Sequence, residues 1–295
     1  MAISAIDSRL PLIVLVGPTA SGKTSLAVEL ASQYDGEIIC ADSRTIYRHM
    51  DIGTAKPSGA DQARVPHWGL DLVDPGERFS AADFKRYATD KIAEIRARGH
   101  VPFLVGGTGL YVDGVLFDYG FGADVDSEQR LLLNNMTLLE LHQYCIKNNV
   151  ILPENKKNKR YVIRAIETRM SVPYRRLTPI DNSIIVGITT DKITLRIRIA
   201  QRIEQLLENG VVDEAIMLGK KYGWDSEALK SNIYPLIRAY MLNTISLDDL
   251  KKDAATRDWR LAKRQLTWMR RNNFIQWLTT DDARDYLSSQ LAIYK

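Results

Sequence analysis

The sequence predicts an α/β protein built on a parallel sheet, and three features of its 295 residues lead there. Short apolar runs alternate with amphipathic helical stretches through the first half, the sequence form of βαβ units. The first of these runs is followed at once by a glycine-containing turn that opens a helix. A Leu-rich helical pattern then interrupts this order, and the last third is mainly helical.

The elements follow in order. Leu12 to Val16 is a buried strand and Lys23 to Gln33 the helix after it. Glu37 to Ala41, Val101 to Val105 and Ser183 to Ile188 are the other strands. Ala81 to Arg98 is a helix with Ser80 as its N-cap and Gly99 as its stop. From Ser127 to about Lys147 the pattern is helical. The polar stretch Glu154 to Arg160 then resets the chain before a second helix carrying Val162, Ile163 and Ile166. These features divide the chain into a core, 1–122 and 159–295, and a helical insertion, 123–158. Gly210, Gly223 and Pro235 break the helices that follow the fourth strand.

Composition narrows the class. With 45% hydrophobic and 26% charged residues the chain is that of an ordinary globular protein. Two cysteines, Cys40 and Cys145, are too few for a disulfide framework or a zinc finger, which points to a reducing compartment. The early apolar run Leu10 to Val16 is far too short to span a bilayer. A cytosolic protein with no membrane partner is expected. A net charge of +4 does not by itself separate a nucleic-acid binder from any other enzyme.

Gly17-Pro18-Thr19-Ala20-Ser21-Gly22-Lys23-Thr24 satisfies G-x-x-x-x-G-K-[ST] between the first strand and the first helix. In such a loop successive backbone N–H groups, the positive end of a helix and a lysine ammonium converge on one anion-sized volume, and the last hydroxyl reaches Mg²⁺. Loops of this class hold nucleotide polyphosphates such as ATP. The fold class is therefore a P-loop NTPase-like parallel sheet core with a small helical insertion domain and a helical C-terminal region. Ligands of open α/β sheets sit beyond the carboxyl ends of the strands. There the second run continues as Asp42-Ser43-Arg44 and the third as Gly106-Gly107-Thr108-Gly109, neither an ordinary Walker B. Asp42 is the nearest carboxylate, suited to hold Mg²⁺ or to act as a base.

Together these motifs resemble the tRNA dimethylallyltransferases, also called tRNA isopentenyltransferases. The resemblance covers most of the chain. It is carried by Gly17 to Thr24, Asp42 to Pro57, Pro66-His67, Phe79 and Phe84. It continues through Val105 to Tyr111, Arg164-Ala165-Ile166-Glu167 and Ala262 to Trp268. It implies transfer of a dimethylallyl group from dimethylallyl diphosphate to N6 of the adenine 3′ of the anticodon in tRNA. Asp42 is then the base, accepting a proton from a weakly nucleophilic amine. Residues 17 to 24, with Lys23, would meet the diphosphate leaving group, Thr19 would bond its bridging oxygen or the nearby phosphate, Thr24 would hold Mg²⁺, and Lys192 stands where the family has a diphosphate-binding Arg. The adenine must be flipped from its stack. Positions matching RNA contacts are Asp42, Ser43, Arg44, Thr45, Thr108, Arg130, Arg160, Tyr161, Val162, Ile163 and Arg164. The chain departs from the family at Thr45, commonly Gln, at Trp68, commonly His, and at Ile233-Tyr234-Pro235-Leu236.

An RNA partner is also suggested without the family. Winding Ala254 to Ile275 at about 100° per residue places Arg257, Arg260, Lys263, Arg264, Arg270 and Arg271 on one arc. Leu261, Ala262, Leu266 and Met269 fall mostly opposite. Lys156, Lys157, Lys159, Arg160 and Arg164 form a second basic cluster. Such stripes neutralise phosphates and release counterions. The expected partners are the anticodon stem-loop of tRNA and dimethylallyl diphosphate, with the chain acting as a monomer. Three other readings share some of this pattern: an adenylate isopentenyltransferase acting on free AMP, ADP or ATP, a P-loop small-molecule kinase, and a non-catalytic RNA-binding protein. The two basic clusters exceed what a free nucleotide requires, and the lack of an ordinary Walker B weighs against the kinase.

Overall fold

The computed structural model describes residues 10–121, 127–168, 174–231 and 233–294. The chain forms two compact units, one of residues 1–117 with 178–295 and one of residues 118–177.

In chain order the larger unit contains β1 (Leu12–Val16), α1 (Lys23–Gln33), β2 (Gly36–Cys40), α2 (Gly59–Arg64), β3 (His67–Trp68), α3 (Ala81–Ala97), β4 (Val101–Gly106) and α4 (Gly109–Leu116). The smaller unit holds α5 (Ser127–Asn135), α6 (Leu138–Lys147) and α7 (Lys159–Thr168). The larger unit then resumes with β5 (Ser183–Ile188), α8 (Lys192–Glu208), α9 (Val211–Tyr222), α10 (Tyr234–Met241), α11 (Leu247–Met269), β6 (Gln276–Leu278) and α12 (Thr280–Leu291).

The six strands are parallel, in the order β3-β2-β4-β1-β5-β6. Every residue of β1 is buried, as a central strand covered on both faces requires. Leu12, Val14 and Val16 face the layer of α3 and α4, where Phe84, Ile92, Tyr111 and Val115 are packed. Ile13 and Leu15 face the opposite layer, made by Leu26 and Leu30 of α1 and Leu287 and Leu291 of α12. The last helix therefore closes the layer that the first one begins. A third core joins Ile46, Tyr47 and Met50 to α8, α9, α10 and the start of α11.

Helix ends follow local chemistry. Ser80, Thr137 and Ser246 each close a reciprocal capping box, with Asp83, Glu140 and Asp249, which satisfies otherwise orphaned N–H groups. The Thr137 box splits the expected Ser127 to Lys147 helix into α5 and α6. Gly210, with φ of 88°, starts α9, and Pro235 sits in the first turn of α10.

The smaller unit is larger than the expected 123–158 insertion. Val162, Ile163 and Ile166 of α7 pack against Leu133, Leu141 and Cys145, so α7 belongs to the insertion and not to the core. The expected boundary at 122/123 lies outside the described residues. The same packing corrects two expected RNA contacts: Val162 and Ile163 are 0% and 1% exposed and face inward.

Candidate functional site

A cleft of about 1500 Å³ opens over the carboxyl ends of β1, β2, β4 and β5, and all of its lining comes from the larger unit. Thr19, Ala20, Ser21, Gly22, Lys23 and Thr24 line it, as do Asp42, Ser43, Arg44, Thr45, Thr108, Arg257 and Arg264. Thus most of the residues singled out from sequence meet in one place.

The loop from Gly17 to Thr24 leaves the end of β1 and enters α1 through left-handed backbone at Ala20 and Gly22, with φ of 61° and 90°. Gly22 is the N-cap and offers no side-chain acceptor, so no side chain of the cap competes for the first N–H groups of α1. Lys23 donates to the Pro18 carbonyl at 3.3 Å. Burial lowers its pKa to about 8; the Arg202 guanidinium adds to the fall and the Asp42 carboxylate opposes it.

Asp42 follows β2, which is separated from β1 by β4. The strand that carries it therefore lies two away from the strand that feeds the loop. The distance is bridged because Gly106 at the end of β4 has no side chain: a Cβ there would strike the Ala41 carbonyl. Asp42 Oδ1 accepts the Arg44 N–H at 2.8 Å, and the Thr108 hydroxyl accepts the Ser43 N–H at 3.0 Å. These bonds fix the turn that presents the carboxylate. Thr45 is buried, its hydroxyl 3.4 Å from the Asp42 carbonyl.

Three functional residues escaped the sequence reading. Gln265 of α11 accepts the Thr19 N–H at 2.8 Å. Arg202 of α8 donates through Nη1 to the Thr19 hydroxyl and through Nη2 to the Thr54 carbonyl at 3.4 Å. Arg198, one turn earlier, donates to the Ser21 carbonyl at 3.3 Å. The signal for the arginines is present: Leu195, Ile199 and Ile203 define the packed face of α8, and Arg198 and Arg202 sit at i, i+4 beside it. Lys192, the residue expected to bind diphosphate, is exposed in the first turn of α8 and does not line the cleft. Asp191 caps that turn instead, accepting the Ile193 and Thr194 N–H groups, which holds its carboxyl below the usual range.

The glycines after β4 serve close approach. A Cβ on Gly107 would meet Gln265, and one on Gly109 would meet the Trp268 ring. Trp268 also bonds Asp113 at 2.6 Å, so α11 is pressed onto the start of α4. This packing changes the reading of the basic helix. Gln265 is buried between Ala262 and Met269, whereas Leu261 and Leu266 are only half-buried. The arc of cations divides: Arg257, Arg260 and Arg264 line the cleft, while Lys263 lies over Trp259 and Arg271 over Trp268.

His67 also lines the cleft, with its Nδ1 at 2.7 Å from the Val65 carbonyl and its pKa lowered by burial. Trp68 bonds Glu37 at 2.6 Å and packs under Lys91. Cys40 is inert as a nucleophile: burial and Asp42 push its thiol up to about 12. Ile233, Tyr234 and Leu236, where the chain departs from the family pattern, are core residues.

Within the smaller unit Arg130 and Arg164 both pair with the buried Glu167 carboxylate, the latter at 3.5 Å. Arg160 and Tyr161 are exposed on α7.

The sequence pattern of the family described as IPP transferase matches residues 45–272. The chain belongs to this IPP transferase family. Relatives within it include tRNA dimethylallyltransferase 1 of Citrifermentans bemidjiense, 38% identical over 92% of this chain and 93% of its own length. The tRNA dimethylallyltransferase of Bacillus subtilis is 33% identical over 92% and 91%. The crystal structure of the tRNA isopentenylpyrophosphate transferase of Bacillus halodurans superposes with a TM-score of 0.73 at 33% identity, covering 97% of this chain and 98% of that one. The two chains thus share one fold along nearly their whole length. A eukaryotic dimethylallyltransferase acting on tRNA has the same fold, with a TM-score of 0.75 at 23% identity over 96% and 77% of the two chains.

Proposed function

We propose that this IPP transferase carries a dimethylallyl group from dimethylallyl diphosphate to N6 of the adenine 3′ of the anticodon in tRNA, acting as a monomer in the cytosol. The observation that carries the proposal is the meeting of Lys23, Arg202 and the uncapped start of α1 with the Asp42 carboxylate in one cleft. Cations and N–H groups suit a diphosphate that gains charge as it leaves. A carboxylate suits an amine that loses a proton as it attacks. The C–O bond to the diphosphate breaks, the C–N bond to adenine forms, and the amine proton passes to Asp42.

Among the described residues no group of three or more His, Cys, Asp or Glu side chains could hold a metal unaided. Thr24, exposed at the cleft, fits a magnesium ion that keeps most of its ligands as phosphate oxygens and water. Such an ion would neutralise charge on the leaving group. Arg257, Arg260 and Arg264 at the mouth suit an RNA backbone, as do the exposed Arg160 and Tyr161 of the smaller unit. Among the described residues no helix is long and apolar enough to cross a membrane.

The test is incubation of the purified chain with Mg²⁺, dimethylallyl diphosphate and either unmodified tRNA or free adenine nucleotides, read by mass spectrometry. A five-carbon addition to tRNA is expected. Addition to the nucleotide instead identifies an adenylate enzyme, and ATP consumption without any addition identifies a kinase. Charge reversal of Arg257 and Arg264 together is expected to weaken tRNA binding and to flatten its log–log salt slope by about 2. An unchanged slope removes α11 from the RNA interface.

A further inference from the structure

Glu214 lies on the packed face of α9, among Val211, Ala215 and Leu218, and is 8% exposed. A carboxylate in such surroundings is tolerated only when fully hydrogen-bonded. Here it is. Oε2 accepts the backbone N–H groups of Asp51 and Ile52 at 2.8 and 2.7 Å. Oε1 accepts the Gly53 N–H and the Tyr234 hydroxyl, each at 2.8 Å. Four donors occupy the four lone-pair directions of one carboxylate, three of them consecutive amides curled around it as around a bound anion.

The segment so gripped is the irregular stretch that follows Met50. Gly53 lies flat against Tyr234, whose hydroxyl a Cβ would approach to 2.6 Å. The Thr54 hydroxyl donates to the Met50 carbonyl, and Lys56 ties the far side to Asp51 and Asp71, each at 2.6 Å. Gly53, Thr54, Ala55 and Lys56 line the cleft, whereas Glu214 does not. The Thr54 carbonyl is the acceptor that holds Arg202 Nη2, and Arg202 Nη1 reaches the Thr19 hydroxyl. Glu214 therefore stands behind a short relay: its carboxylate fixes residues 51 to 53, these fix the Thr54 carbonyl, and that carbonyl turns the Arg202 guanidinium toward the phosphate loop.

We infer that Glu214 is a positioning residue of the cleft, holding the 51–54 turn so that the Thr54 carbonyl orients Arg202 toward its anion. The inference rests on the diphosphate reading of the cleft. A helix that is not part of the sheet core thereby sets the geometry of the phosphate site without touching it.

The test is calorimetric titration of the full chain with inorganic diphosphate. Glu214→Gln puts an amide NH₂ against backbone donors and is expected to weaken diphosphate by about tenfold. Arg202→Lys keeps the charge and removes the fork that the Thr54 carbonyl holds. In that background Glu214→Gln is expected to add nothing. A purely structural carboxylate predicts the opposite, a loss of equal size in both backgrounds. Tyr234→Phe removes one donor and leaves the three amide bonds, and is expected to weaken binding in the same direction by about twofold; it keeps the question open to measurement if Glu214→Gln does not fold. Wild-type affinity in a folded Glu214→Gln or Tyr234→Phe chain, or additivity with Arg202→Lys, overturns the inference. An unmutated chain that does not bind diphosphate overturns instead the reading of the cleft on which it rests.

Discussion

Replacing Asp42 by Asn is expected to slow prenyl transfer by about 10²–10⁴-fold, the range for removal of a general base. The Asn side-chain oxygen still accepts the Arg44 N–H now bound by Oδ1 at 2.8 Å, so the turn through Ser43 and its bond to Thr108 survive. What goes is the proton acceptor and one negative charge. That charge also supports the Lys23 ammonium, so its loss adds a rise in KM for dimethylallyl diphosphate to the fall in kcat. Binding of tRNA, proposed to rest on cations elsewhere, is expected to stay within about twofold. Single-turnover rates with saturating tRNA read the chemical step alone. A variant that turns over at the unmutated rate would falsify the assignment of Asp42 as the base.

Lys23 is expected to make binding of a diphosphate depend on pH. Its folded-state value is about 8 against 10.5 for the free side chain. Between these values the unfolded chain holds more protons than the native one, so this group favours folding increasingly as pH rises through that window. Below about 8 the native fold must hold a buried ammonium, and the group is a burden to it. A bound diphosphate reverses the balance, because the anion favours the charged lysine. Binding at pH 9 is therefore expected to take up a proton, seen as a dependence of the apparent enthalpy on the ionisation heat of the buffer. Lys23→Met is expected to lose this dependence and to lower turnover by about 10²–10³-fold. Lys23→Arg, which does not titrate in this range, loses the buffer dependence while keeping a positive charge. Equal enthalpies in all buffers at pH 9 would remove Lys23 from the anion site.

The central strands were legible because burial on both faces leaves continuous apolar runs. Leu12–Val16 and Ser183–Ile188 were bounded to the residue, and β2 and β4 to within one. The edge strands His67–Trp68 and Gln276–Leu278 were missed since two or three residues carry no periodicity. In the cleft the phosphate loop and Asp42 were legible from local pattern, and Gln265 was not. A helical wheel sorts residues by polarity, and it set Gln265 aside from the packed face. The structure buries it there because Gly107 leaves room for it and the Thr19 N–H needs an acceptor. Lys192 was chosen by its register with a family position; the structure leaves it outside the cleft and sets Arg198 and Arg202 against the loop instead. Glu214 was invisible to any local pattern, since the three backbone amides it accepts from lie more than 160 residues away in sequence.

The bond from Thr19 to Gln265 spans 246 residues, and that from Arg202 to Thr19 spans 183. A ribosome that has released only the first half of the chain has already made the loop, Lys23 and Asp42, but neither of these partners. Domains fold as their residues emerge, and contacts of long sequence separation form last. The nascent chain thus carries the loop for most of its synthesis before the proposed anion site is complete. Competence arrives only when α11 has been made and has docked.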